Sequence, residues 1–91
     1  MPGKYRTKTL FIEGVIEDIL HKLDIKLKAV LEDYSDCDSE QIGQYMDQDR
    51  DNSDGAIELL YDLGFISAEE RDKAIERTYE ILHGYYKCIP Q

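Results

Sequence analysis

The chain has 91 residues and a net charge of −9, with 20 Asp and Glu against 11 Lys and Arg. A chain of this size forms a single domain, 1–91, with a modest core and little stability to spare. A hydrophobic content of 42% argues against wholesale disorder, and the acidic balance disfavours nucleic-acid binding by the body of the protein.

Residues 1–8 read as a basic N-terminal arm, with Lys4, Arg6 and Lys8 and no acid. The simplest role for the arm is to lie over the protein's own acidic face. From Thr9 to Tyr34 the helix period takes over. Ile16, Leu20, Leu23, Leu27, Val30 and Tyr34 are spaced alternately four and three, and Ile12, Ile19 and Leu31 widen the stripe. This predicts one long N-terminal helix as the spine, with Thr9 as its N-cap.

Residues 35–38 read as a turn. Asp38 or Ser39 then caps a short helix through about Asp47, with Ile42, Tyr45 and Met46 on its apolar face. The stretch Asp47-Gln48-Asp49-Arg50-Asp51-Asn52-Ser53-Asp54-Gly55 is expected to be an acidic loop, because Asp, Asn, Ser and Gly favour turns. A second short helix, Ala56 to Leu63, would follow, with Gly64 in a left-handed C′ position. Ser67-Ala68-Glu69-Glu70 has the pattern of a capping box and starts the C-terminal helix at Ala68. Gly84 is expected to end that helix, leaving 85–91 as an aromatic C-terminal tail. The fold class is therefore all-α: a small bundle of about four helices, two of them short and flanking an acidic loop.

Charge is distributed unevenly along this plan. Residues 29–70 hold thirteen acids and one base, Arg50, while the rest of the chain holds seven acids and ten bases. Such a field attracts basic surfaces and speeds association with them; the plainer alternative is a solvated face that keeps a small protein soluble.

Catalytic chemistry is thinly represented. His21 and His83 are the only histidines and belong to no zinc-spaced set, no phosphate-binding glycine loop appears, and no nucleophile has a recognisable base. The expectation is a protein that is not an enzyme and carries no cofactor. Cys37 and Cys88 are too few for a disulfide framework and form no C-x-x-C, so free thiols are expected. The N-terminus lacks the apolar core of a signal peptide, and no apolar run approaches membrane-spanning length. Together these predict a cytoplasmic protein, of the producing or host cell, without membrane contact.

The function expected is binding of a protein partner through the acidic half. Asp47, Asp49, Asp51, Asp54, Glu58 and Asp62 would stand in for phosphates, and Tyr61, beside Asp62, would anchor the contact. Tyr34 and Tyr45 fall on apolar stripes and are expected to pack their rings in the core. The partner would present a basic, nucleic-acid-handling surface that this chain blocks. Nuclease-immunity proteins and phage-encoded inhibitors of host defence nucleases are small acidic proteins of that class.

Two alternatives come from other classes. Counted from Asp47, Asp49 and Asp51 fall at positions three and five and Glu58 at twelve, which resembles an EF-hand loop. The pattern departs from that family at Asn52, where the family has Gly, and at Asp54, where it has an aliphatic residue. The resemblance implies a calcium-responsive module held by Asp47, Asp49, Asp51 and Glu58. The second alternative is a structural homodimer, since the spacing along the long helix also suits a dimer seam.

Overall fold

The computed structural model describes the backbone of residues 3–34 and 36–89, and the side chains of residues 11–34 and 36–89. Three helices account for most of it: α1 (Gly3–Asp33), α2 (Ser39–Asp62) and α3 (Ala68–Tyr86). Among the described residues there is no strand.

The all-α expectation holds, but the number of helices does not. The two short helices and the acidic loop between them are one continuous helix, α2. The reason lies in the apolar register. Ile42, Met46, Ser53 and Ile57 are all buried on one side of α2, and their spacing keeps phase through the Asp-rich stretch at about 3.6 residues per turn. Ser53, expected in the acidic loop, is a core position at 7% exposure. An Arg50–Asp54 pair one turn apart adds support across the same stretch.

The ends of the helices also move. The backbone of the expected basic arm is helical from Gly3; the side chains of Lys4, Arg6 and Lys8 lie outside the described set. Likewise α3 runs through Gly84 to Tyr86, so the first two residues of the expected tail are helical. Cys88 and Ile89 follow as turn and bend, and residues 90 and 91 are outside the described residues.

Local signals set the connections. The Asp38 side chain accepts from the Gln41 N–H at 2.8 Å and starts α2. Gly64 adopts φ 80, which lets the chain turn after α2 where another residue would be strained. The capping box forms as its residues predict: the Glu70 N–H donates to the Ser67 hydroxyl, and the Ser67 N–H donates to the Glu70 carboxylate. Both connections are short, so α2 runs antiparallel to α1 and to α3.

The core divides into two apolar layers with a polar one between. Leu23, Leu27, Val30, Ile42, Met46 and Leu82 fill the layer near the α1–α2 turn. Ile12, Ile57, Ile66 and Ala74 fill the layer near the α2–α3 turn. Between them lie the only buried polar side chains among the described residues, Ser53 and Thr78. No helix among the described residues is long and apolar enough to cross a membrane.

Candidate functional site

Folding the Asp-rich stretch into a helix sorts its carboxylates onto different sides. Glu40, Gln44, Asp47, Asp51, Gly55, Glu58 and Asp62 recur at steps of four and three, so they lie along one stripe of α2. All of them are exposed except Glu58, which is half-buried. The stripe faces away from the core side that carries Ile42, Met46, Ser53 and Ile57. Four of the seven predicted contact residues, Asp47, Asp51, Glu58 and Asp62, thus come together in one line. From Glu40 to Asp62 the line is roughly 33 Å long at about 1.5 Å per residue.

The other three predicted contact residues leave the line. Asp49 turns toward α1 and is half-buried; burial pushes its carboxyl above the usual range, which nearby Lys26 partly offsets. Asp54 is taken up between helices. Its Oδ2 accepts from Nε and Nη2 of Arg50, at 2.9 and 2.8 Å, and its Oδ1 accepts from the Thr78 hydroxyl at 2.7 Å. The same Thr78 hydroxyl also contacts the Ile75 carbonyl, and the Arg50 guanidinium lies 3.9 Å from the centre of the Tyr79 ring. Tyr61 is half-buried with the Arg71 guanidinium over its ring at 4.3 Å, and is not the open anchor expected.

Members of the stripe differ in how free they are. Asp51 is open to solvent, its side chain 73% exposed and 4.0 Å from Arg50. Asp47 accepts a hydrogen bond from the Tyr86 hydroxyl. Glu58 lies 3.9 Å from Arg71, which pairs more closely with Asp72 at 3.0 Å. On the far side of the bundle Arg77 makes a bidentate bridge to Glu17, joining α3 to α1 and holding the Glu17 carboxyl below its usual range.

The acidic surface continues past the start of the stripe. Glu32, Asp33, Asp36 and Asp38 surround the α1–α2 turn and are all exposed. Glu32 and Asp33 occupy the last turn of α1, which contains no base. A helix C-terminus carries partial negative charge and favours cations there, so helix electrostatics do not account for these two acids. Residues 29–49 contain seven acids and no Lys or Arg.

Beside this turn is the feature that periodicity misassigned. Tyr34 and Tyr45 stack on each other, with centroids 4.7 Å apart and planes inclined by 29°. They are 41% and 38% exposed, not core. The signal that could have found them is their neighbourhood: Tyr34 stands beyond the last residue of α1, and Tyr45 is one position off the Ile42–Met46 stripe.

The EF-hand-like reading has no loop to rest on. Residues 47–58 are helical throughout, so Asp49 is turned away from Asp47 and Asp51 and cannot wrap one cation with them. Among the described residues no group of three or more His, Cys, Asp or Glu is placed to hold a metal. The described cysteines are free, Cys37 half-buried and Cys88 exposed.

No protein-family model, curated protein or solved structure matches this chain.

Proposed function

We propose that the protein binds a partner that has a basic, nucleic-acid-handling surface, and blocks that surface. The observation that carries this reading is the stripe Glu40–Asp47–Asp51–Glu58–Asp62 on the outer side of α2, continued by Glu32, Asp33, Asp36 and Asp38 at the turn. A preformed helix presenting five carboxylates along one side, with Gln44 and Gly55 between them, offers a basic groove a line of negative charge. Little order is lost on binding, because the helix is already formed. The contact set is Asp47, Asp51, Glu58 and Asp62 with the turn acids; Asp54 and Tyr61 are engaged by Arg50, Thr78 and Arg71 behind it, and Asp49 is turned toward α1.

The test is a pull-down from the source cells at low and moderate salt, followed by competition with duplex DNA. The expected result is retention of a basic nucleic-acid-binding protein that salt and DNA both release. An Asp51→Lys, Asp62→Lys double variant should fail to retain it. These two residues are chosen because both are exposed and neither bridges two helices. Unchanged retention by that variant would overturn the assignment of the stripe.

The dimer seam expected from the α1 stripe is taken up inside the bundle, where Leu20, Leu23, Leu27 and Val30 are buried; a homodimer joined along the outer side of α1 is a second reading, favoured by Phe11 and Ile25. They are 68% and 52% exposed and lie fourteen positions apart, on the same outer side of the helix. Sedimentation at high concentration decides it: a monomer mass removes the dimer.

A further inference from the structure

The chain handles tyrosine faces among carboxylates in a repeated way. The Arg50 guanidinium lies over Tyr79 and is bound at its edge by Asp54. The Arg71 guanidinium lies over Tyr61 and is bound at its edge by Asp72. In both places a flat cation lies with its face on an aromatic ring and its edge hydrogen-bonded to a carboxylate, the two groups a guanidinium satisfies together.

At the α1–α2 turn two parts of that arrangement are present and the third is not. Tyr34 and Tyr45 stack, which uses one face of each ring, and their exposures of 41% and 38% leave much of the remainder at the surface. Glu32, Asp33, Asp36 and Asp38 flank Tyr34 in sequence and are exposed. Residues 29–49 supply no cation of their own, and among the described residues no Arg or Lys lies on either ring.

We propose that the Tyr34–Tyr45 pair is the docking point for an arginine side chain of a basic protein partner, held by an outer ring face and by the carboxylates of the turn. This rests on the reading that the acidic surface meets a basic one, and adds which cation that surface selects and where. Arginine is favoured over lysine because a planar guanidinium stacks on a ring and pairs with a carboxylate in a fork, whereas an ammonium is a compact, strongly hydrated point charge. The stacked pair also presents its area at little entropic cost, since each tyrosine has few side-chain torsions to fix.

The experiment is an NMR titration of the full chain with a nona-arginine peptide and a length-matched nona-lysine peptide at low salt, observing the tyrosine ring signals. Nona-arginine should bind about three- to tenfold more tightly than nona-lysine, with the largest ring shifts at Tyr34 and Tyr45. A Tyr34→Leu, Tyr45→Leu variant should lose that preference while still binding nona-lysine, and a Tyr34→Phe, Tyr45→Phe variant should keep it. Helical circular dichroism of both variants shows that they are folded. Equal affinity for the two peptides, a preference that survives the leucine variant, or ring shifts confined to other tyrosines would overturn the inference. If both peptides still bind in a salt-sensitive way in that case, the acidic-surface reading stands without the arginine anchor. If neither peptide binds at low salt, both readings fall.

Discussion

Asp54 sits among other aspartates, which predicts a place at a partner's surface; the structure gives its carboxylate three hydrogen bonds inside the protein instead. Replacing Asp54 leaves the Arg50 guanidinium without this acceptor and the buried Thr78 hydroxyl with the Ile75 carbonyl alone. Hydrogen bonds to charged groups are the more expensive ones to lose. Asp54→Ala should therefore lower the unfolding free energy in urea by about 2 kcal/mol, and Thr78→Val by about 1 kcal/mol. The two losses should fall short of additive in the double variant, because both remove the same bond. Tyr85 makes a second prediction. Burial and a hydrogen bond to Asp24 push its hydroxyl up to about 12, while an unfolded tyrosine titrates near 10. Between those values the folded state keeps a proton that the unfolded state has lost. The contribution is therefore present below pH 10 and disappears as pH rises toward about 12. Thermal melts across that window should lose stability faster in the native chain than in Tyr85→Phe, which has no hydroxyl to titrate there.

The continuity of α2 makes its own prediction, at Gly55. A glycine in a turn with a special backbone resists substitution, whereas a glycine exposed in mid-helix only weakens it. Gly55 is helical and exposed, its φ is not positive, and an added Cβ would meet nothing within 4 Å. Gly55→Ala should thus raise stability by about 0.5–1 kcal/mol, and an unchanged or lowered midpoint in urea would argue against a helix at this point. The same element shows what could be read in advance. The capping box at Ser67–Glu70 and the turn at Gly64 were legible because each rests on two or three adjacent residues with one stereochemical solution. The α1 stripe was legible because its apolar positions are unbroken. In α2 the stripe passes through Ser53, a small polar side chain, just where Asp, Asn and Gly gather, and local turn preference outweighed a register that continues from Met46 to Ile57. The candidate surface was legible as charge, but the facing of each carboxylate depends on the helical phase. Without that phase, Asp54 does not differ in sequence from Asp51, nor Tyr45 from a core residue.

At the scale of the whole molecule, acids crowd the end where α1 stops and α2 begins, and stability alone would not put all of them there. Asp38 and Glu40 suit the N-terminus of α2, whereas Glu32 and Asp33 oppose the field at the C-terminus of α1. Repulsion among the neighbouring carboxylates of the turn adds to that cost. If these two acids serve association, Glu32→Lys with Asp33→Lys should change stability and binding in opposite directions. The unfolding midpoint in urea should rise, each substitution contributing about 0.5 kcal/mol from the helix dipole. Association with the retained basic partner should slow, and the difference from the native chain should shrink as salt rises, because exposed charges are screened beyond about 10 Å at 0.1 M. A rise in stability with no change in association rate would leave the two acids as a solvated helix end and confine the interaction to the α2 stripe. A fall in association with no gain in stability would mean that α1 tolerates its acidic terminus at no cost. The opposition between dipole and surface charge would then be no sign of function.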